Sequence, residues 1–128
     1  MVLYIDSHFT PDPDSVPEAR HSLDGLDEFL APSQLDQMRL LVSELVSNSI
    51  RHAGLTLEDW IWLRVTLLDR SIRVEVTDPG PGISGVRVGP RPDGSGGWGL
   101  HFLDRIADRW GHEQYDVSCV WFELDLHG

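Results

Sequence analysis

The amino-acid sequence predicts an α+β fold, a two-layer sandwich in which helices pack on one face of a mixed, mostly antiparallel sheet. Three observations favour this fold: a long amphipathic helix, a two-stranded hairpin that follows it, and further strand-like segments towards both ends of the chain. Helical segments between some strands, with other strands joined by a tight turn, are typical of this architecture. The chain has 128 residues, and we expect one domain over residues 1–128.

The first half of the chain is expected to form one strand and two helices. Residues 2–9 alternate between apolar and polar side chains, which predicts a strand that ends before Pro11. Apolar side chains recur at helical spacing over residues 15–30, which predicts a first helix. A second helix is expected over residues 34–53, because Ser33 opens a capping-box pattern in front of a long amphipathic segment.

The second half is expected to form a hairpin, a long loop, a third helix and one or two closing strands. Apolar side chains at alternate positions predict two strands that are joined by a tight turn at Asp69 and Arg70. The next segment contains seven glycines and four prolines, which predicts a long loop of the kind that usually forms a lid or a binding loop. The predicted ranges are 59–68 and 71–78 for the hairpin strands, 79–97 for the loop, 98–109 for the helix and 117–126 for the better closing strand.

The charge balance of the chain excludes several kinds of chemistry. Acidic residues number 21 against 10 basic residues, all of them arginine, so the formal net charge is −11. Without lysine, the chain has neither a Walker-A phosphate loop nor a Schiff-base nucleophile. A surface basic enough to bind nucleic acid directly is not expected at this charge.

The sequence also lacks the patterns of export and of membrane insertion. The single cysteine, Cys119, allows no internal disulfide bond and no cysteine-rich zinc site. No apolar run approaches the roughly 20 residues of a membrane span, and the segment that starts at Met1 lacks the features of a signal peptide. A cytoplasmic protein with no membrane partner is therefore expected.

One stripe of the second predicted helix carries side chains that suit a nucleotide site. Glu44 can serve as a general base, and the amide oxygen of Asn48 is a hard neutral ligand for Mg²⁺. Arg51 and His52 lie on the same stripe, where they could reach phosphate groups. The neighbouring stripe, which includes Ser49, is mostly apolar and is expected to face the core. The alternative for the polar stripe is a solvated helix face with an i,i+4 pair.

A carboxylate and two glycine-rich segments complete this pattern. Asp78 shares the parity of the apolar residues of its strand, so its side chain should point inward and needs a donor such as the exocyclic amine of adenine. The alternative is a strand-end aspartate that bonds to its own turn. Gly80 and Gly82 would let a base approach the backbone. Residues 94–100 open the third helix, where N–H groups and the helix dipole attract phosphate, unless the glycines only make the loop flexible.

Three tryptophans, Trp60, Trp62 and Trp121, have the opposite parity to the core residues around them. If helices cover only one face of the sheet, these side chains form an aromatic patch on the other face. Such a patch is typical of a dimer or partner surface. The alternative is that the N-terminal segment covers it.

Three ordered motifs give the chain a resemblance to the GHKL ATPase superfamily, which includes gyrase, the Hsp-type chaperones and the histidine kinases. The segment 44–52 resembles the N-box of that superfamily, 78–82 resembles its first glycine box and 96–100 resembles its second. The segments 41–48 and 107–111 resemble more closely the small bacterial anti-sigma-factor serine kinases and their stand-alone ATP-binding relatives. The resemblance extends over nearly the whole chain.

This resemblance implies the Bergerat fold, which binds Mg-ATP between helices and sheet, with an ATP lid over about 83–98. It implies that Glu44 is the catalytic base, that Asn48 binds Mg²⁺ and that Asp78 receives the adenine amine. Relatives often carry Gly-x-Thr near the start of the last strand, and here Ser118 is the candidate substitute for the threonine. With the residues already named, the predicted nucleotide-binding set is Asn48, Arg51, His52, Asp78, Gly80, Gly82, Gly96, Gly97, Gly99, Leu100 and Ser118.

The resemblance further implies a serine/threonine kinase that phosphorylates an anti-sigma-factor antagonist and binds a sigma factor, with Arg20 on a partner-facing helix. Two alternatives stay open. One is a nucleotide-binding or catalytically silent switch that acts by contact with a partner. The other is a fragment of a histidine kinase, but the absence of a long dimerisation helix pair before residue 33 argues against it. A homodimer also stays open. Because the chain lacks lysine, phosphate binding must rely on Mg²⁺ at Asn48, on glycine N–H groups and on arginines, with Arg51, Arg87 and Arg91 as candidates.

Overall fold

A five-stranded antiparallel sheet with helices on one face forms the two layers of the molecule. The structure, a computed structural model, describes residues 2–52, 55–80, 98–114 and 116–126. Along the chain the elements are β1 (Val2–Phe9), α1 (Ser15–His21), a 3-10 helix (Asp24–Glu28), α2 (Pro32–His52), β2 (Ile61–Leu67), β3 (Ser71–Asp78), α3 (Trp98–Ile106), β4 (Arg109–Gln114) and β5 (Ser118–Asp125).

The strand order in the sheet is β1-β2-β3-β5-β4, and each of these neighbouring pairs is antiparallel. The predicted α+β sandwich is confirmed, but the predicted mixed, mostly antiparallel sheet has only antiparallel pairs among the described strands. The predicted hairpin is formed by β2 and β3, with Trp62 opposite Thr77. At its other edge β3 pairs with β5, which places Ser118 directly opposite Asp78.

The core lies between α2 and the helix-facing side of the sheet. Alternate residues of β2, β3 and β5 point towards the helices, as the apolar parity of these segments predicted. Because Asp78 has the same parity as the buried residues of β3, its side chain lies on the core side of the sheet. Completely buried side chains of this core include Met38, Leu41, Val42, Val46, Leu63, Val65, Ile72, Val74, Leu103 and Phe122.

The prediction of one continuous helix over residues 15–30 is wrong. After α1 the chain tightens to i→i+3 hydrogen bonds, such as the bond from the Leu26 N–H to the Leu23 carbonyl at 2.9 Å. Residues three apart are eclipsed in a 3-10 helix, which brings the completely buried Leu23 and Leu26 to the same side. The Tyr4 hydroxyl donates to the Gly25 carbonyl at 3.3 Å. This segment therefore packs against β1 as a 3-10 helix and does not continue α1.

The predicted helix over residues 34–53 is confirmed as α2, but its start differs. Pro32 takes the first helical position, where its missing N–H costs no helical hydrogen bond. The predicted capping box at Ser33 is therefore wrong. Instead the Gln34 side chain accepts a hydrogen bond from the Ala31 N–H at 3.4 Å, which is the reach-back half of a capping box.

The third predicted helix ends at Ile106 rather than at 109, because the chain turns back along β5 as β4. Both closing strands are thus formed. Gly111 of β4 lies against the Trp121 indole, and a Cβ at this position would be 2.9 Å from the Trp121 Cζ2 atom. Any side chain at position 111 would therefore have to displace the ring. In the described ranges, no helix has both the length and the apolar character needed to cross a membrane.

Candidate functional site

The site is built where the C-terminal half of α2 passes the end of β3. The Ser49 hydroxyl donates a hydrogen bond to Asp78 Oδ2 at 2.6 Å, and the Gly80 N–H donates to Asp78 Oδ1 at 2.8 Å. Ser49 and Asp78 expose only 8% and 6% of their surfaces. The Asp78 carboxylate is therefore buried but hydrogen-bonded through both oxygens, as the burial of a polar group requires.

Two expectations for Asp78 are met together in the structure. Its side chain lies inward, as strand parity predicted, and it also accepts a hydrogen bond from its own turn at Gly80. An ionised carboxylate offers about four lone-pair positions, and Ser49 and Gly80 each occupy one. The others can accept hydrogen bonds from a ligand, and the contact with adenine stays a prediction.

Ser118 lies beside this carboxylate, directly across from Asp78 in the antiparallel pair of β3 and β5. Side chains opposite one another on such a pair have Cβ atoms about 4.5–5.5 Å apart. Ser118 exposes only 5% of its surface. The fold thus brings the predicted substitute for the family threonine next to the predicted adenine acceptor.

The polar stripe of α2 lies next to the stripe that carries Ser49, and Asn48 immediately precedes Ser49 along the helix. Glu44 and Asn48 are half-buried and Arg51 is exposed. Arg51 Nη2 lies 3.5 Å from Asn48 Oδ1, a separation at which a hydrogen bond is weak. Glu44 forms no hydrogen bond or ion pair within the described part of the chain. Its carboxylate is therefore not held in the i,i+4 pair that the alternative expected.

The donor set of this stripe fits a Mg²⁺ ion that is held mainly by phosphate oxygens. Mg²⁺ usually keeps several waters and takes one or two protein oxygen ligands. Asn48 offers an amide oxygen whose contact with Arg51 is long. Over the described ranges, no group of three or more His, Cys, Asp or Glu residues could hold a metal. The Asn48 amide oxygen is one ligand of the kind that Mg²⁺ takes, and the binding of Mg²⁺ by Asn48 stays a prediction.

Part of the predicted nucleotide-binding set lies outside the described residues. The structure describes no side chain for His52 or Leu100, although Gly99 and Leu100 belong to the first turn of α3. Of the predicted loop over 79–97, it describes Pro79 and Gly80. The predictions that lie outside are Gly82, Gly96, Gly97, Arg87, Arg91 and the lid over 83–98 up to the start of α3.

A second polar feature lies on the helical layer. A cavity of about 490 Å³ between α1 and α2 is lined by Pro17, Arg20, His21, Asp24 and Arg39. Arg39 donates to Asp24 at 2.7 Å, and this hydrogen bond lowers the pKa of the Asp24 carboxyl below its ordinary value. Arg20 has no ion pair with any residue that the structure describes. Its positive charge is therefore left available at the cavity.

The predicted aromatic patch divides into two parts on the sheet face opposite the helices. The Trp60 and Trp62 rings lie 6.4 Å apart in an edge-to-face arrangement, and the His8 ring of β1 stacks on Trp62 at 5.3 Å. The Trp62 Nε1–H also donates to Asp6 of β1. Trp121 lies on β5, with β3 between it and β2. These contacts fit the alternative in which the N-terminal strand covers Trp62, and partner binding by the tryptophans stays a prediction.

Arginines lie over both indole rings of the strands. Arg64 Cζ is 5.0 Å from the centre of the Trp62 ring, and Arg73 Cζ is 4.2 Å from the centre of the Trp121 ring. Cation–π attraction is favourable at these separations. Arg73 also donates to Glu123 at 3.0 Å. Much of the aromatic surface that the sequence placed on this face therefore has partners within the chain.

Ser49 is the site residue that sequence reasoning did not single out. The predicted core-facing stripe of α2 does include Ser49, but the apolar character of that stripe predicts packing there rather than a polar contact. The signal that could have identified it is a hydroxyl at a core-facing position, because a buried hydroxyl requires a hydrogen-bond partner. Asp78 was the predicted inward acceptor, and the two meet across the interface of α2 and β3.

A family model described as a histidine kinase-like ATPase domain matches residues 9–122 of the chain. The matched range begins at the end of β1, reaches into β5 and includes Glu44, Asn48, Asp78 and Ser118. No curated protein matches the sequence.

Proposed function

Because the chain belongs to the histidine kinase-like ATPase domain family, we propose that it binds Mg-ATP and transfers the γ-phosphoryl group to a serine or threonine of an anti-sigma-factor antagonist. We also propose that it binds a sigma factor. The observation that carries the nucleotide part is the buried Asp78 carboxylate, which Ser49 and Gly80 hold with acceptor positions left over. The segments that resemble small anti-sigma-factor kinases support the choice of substrate.

Asp78 has the chemistry needed to receive the exocyclic amine of adenine. The amine donates hydrogen bonds, and the carboxylate has lone pairs that neither Ser49 nor Gly80 occupies. A hydrogen bond to an ionised acceptor is stronger than one between neutral groups, and burial of the site strengthens it further. Ser118, across the strand pair, adds a hydroxyl that can donate or accept.

Glu44 and Asn48 supply groups that phosphoryl transfer requires. Glu44 would accept the proton of the attacking serine or threonine hydroxyl. The hydroxyl oxygen then bonds to the γ-phosphorus while the bond between the γ-phosphorus and the oxygen of the leaving ADP breaks. Asn48 would hold Mg²⁺, which neutralises phosphate charge when it is bound. Arg51, on the same side of α2, would contact phosphate oxygens.

Calorimetric titration with ATP tests the nucleotide part of the proposal. We expect binding in the presence of Mg²⁺ and a large loss of affinity in excess chelator, because a chain of net charge −11 without lysine has few other means of neutralising a triphosphate. Equal affinity in chelator would contradict the arrangement of phosphate ligands. A wild-type protein that binds no nucleotide would overturn the nucleotide part and favour a partner-binding switch.

Arg20 is the residue that we propose for contact with the protein partner. The resemblance implies that Arg20 lies on a partner-facing helix. Its charge at the cavity between α1 and α2, which has no ion pair within the described residues, supports this role. With Mg-[γ-³²P]ATP and the cognate antagonist, we expect Arg20→Ala to reduce labelling of the antagonist without changing ATP affinity. Arg70→Ala removes an exposed arginine from the β2–β3 turn and should change neither quantity.

Two outcomes would each contradict one part of this proposal. Equal labelling by Arg20→Ala and wild-type protein would exclude Arg20 from the partner surface. A wild-type protein that binds ATP but labels no antagonist would favour the catalytically silent switch over the kinase.

A further inference from the structure

We propose that Ser49 is a positioning residue, which fixes the Asp78 carboxylate and thereby makes the site selective for adenine over 6-oxopurines. This role rests on the proposed function, because it requires Asp78 to accept a hydrogen bond from the base. The contact that supports it is the 2.6 Å hydrogen bond from Ser49 Oγ to Asp78 Oδ2, which joins α2 to β3 inside the core.

Two donors fix the orientation of this carboxylate. A carboxylate turns readily about its last side-chain bond, since torsions between sp³ and sp² carbons have broad minima. The Gly80 N–H holds Oδ1 and the Ser49 hydroxyl holds Oδ2, at 2.8 and 2.6 Å. Donors on both oxygens, one from a turn and one from a helix, define the plane of the carboxylate. With Gly80 alone, Oδ2 could turn away from the ligand.

The Ser49 hydroxyl donates its hydrogen bond to the site rather than to a carbonyl of its own helix. A serine inside a helix can donate its one proton to the carbonyl four residues earlier. Ser43 on the same helix does this, with its Oγ 2.7 Å from the Arg39 carbonyl oxygen. Ser49 donates to Asp78 instead. Ser43 and Ser49 therefore provide a matched pair on α2, one serine away from the site and one at the site.

A fixed carboxylate determines which purine the site accepts. Adenine presents an amine donor at its 6-position, whereas hypoxanthine presents a carbonyl acceptor there. Two acceptors that face each other in a buried site are left unpaired, which costs binding free energy. A carboxylate held by Ser49 cannot turn away from the carbonyl, so the full cost remains. Once the Ser49 bond is removed, the carboxylate can turn, which weakens the bond to adenine and relieves the repulsion from hypoxanthine.

Affinities for ATP and inosine triphosphate, both measured in Mg²⁺, test the role of Ser49. We expect wild-type protein to prefer ATP and Ser49→Ala to reduce the ratio of the two affinities about tenfold. Ser43→Ala, the matched control on the same helix, should leave the ratio unchanged. If Ser49 had a purely structural role, its loss would weaken the binding of both nucleotides equally, and the ratio of the two affinities would not change.

Ser49→Cys provides a second variant if Ser49→Ala fails to fold, because a thiol, although larger than a hydroxyl, still fills the position and donates only weakly. It should also reduce the ratio. A folded Ser49 variant with the wild-type ratio would overturn the role of Ser49, and so would equal affinities of the wild-type protein for the two nucleotides. A wild-type protein that binds neither nucleotide would overturn the proposed function itself.

Discussion

Replacement of Glu44 by glutamine is expected to reduce the rate of phosphoryl transfer by about 100- to 10,000-fold, while ATP still binds. Glutamine keeps the size of the side chain but does not accept the proton of the attacking hydroxyl. The Glu44 carboxylate is half-buried and forms no ion pair within the described ranges, so the change breaks no such contact that stabilises α2. Single-turnover labelling of the antagonist measures the rate, and calorimetry measures ATP affinity.

Glu58→Gln is the matched control for this prediction. It makes the same chemical change at an exposed position before β2, and its transfer rate should equal that of the wild-type protein. An undiminished rate in Glu44→Gln would show that Glu44 is not the base. Loss of ATP affinity together with the rate would make Glu44 a binding residue rather than a proton acceptor.

Local periodicity predicted the elements that position the site. The spacing of apolar residues located α2, and alternation located the β2–β3 hairpin, since both patterns reflect which side of an element faces the core. The same parity predicted that the Asp78 side chain points inward, where it accepts a hydrogen bond from Ser49. The side of α2 that carries Glu44 and Asn48 follows from the same reasoning.

The features that local patterns missed depend on contacts between distant segments. The 3-10 turn after α1 forms where Gly25 meets Tyr4 of β1. The edge strand β4 is mostly exposed, so its sequence shows no apolar alternation. The glycine at position 111 is explained by its close contact with the Trp121 ring of β5. The bond from Ser49 to Asp78 spans 29 positions in sequence. No helical or strand period specifies such a pairing.

The distribution of arginines shows how a chain of net charge −11 uses its few cations. Arg39 and Arg73 are committed to Asp24 and Glu123, at 2.7 and 3.0 Å. Arg51 lies on the side of α2 that carries the candidate site and, among the residues that the structure describes, makes only a long contact with Asn48. Because structural ion pairs take up part of the positive charge, the dependence of nucleotide binding on Mg²⁺ is expected to be correspondingly strong.

Replacement of Asp78 by asparagine is expected to weaken ATP binding about 10- to 100-fold, the usual cost of losing a hydrogen bond to a charged group. Asparagine has nearly the same shape, but it is neutral and one carboxylate oxygen becomes an amide that donates. In one orientation the asparagine oxygen accepts from the Ser49 hydroxyl, and the side-chain NH₂ group then faces the Gly80 N–H, so two donors are opposed. In the other orientation the NH₂ group faces Ser49, and two donors are opposed there unless the hydroxyl proton points elsewhere. Calorimetry with ATP in Mg²⁺ measures the loss.

Asp59→Asn separates base recognition from the turn-forming role of an aspartate. Asp59 Oδ2 accepts a hydrogen bond from the Thr56 N–H at 2.8 Å, so it bonds to a turn as Asp78 does but lies outside the candidate site, and its substitution should leave ATP affinity unchanged. At position 78 the new amide can donate to the carbonyl of hypoxanthine, so affinity for inosine triphosphate should fall less than affinity for ATP. Unchanged ATP affinity in Asp78→Asn would mean that the carboxylate serves only its own turn. An equal fall for both nucleotides would indicate damage to the fold rather than the loss of an acceptor for the adenine amine.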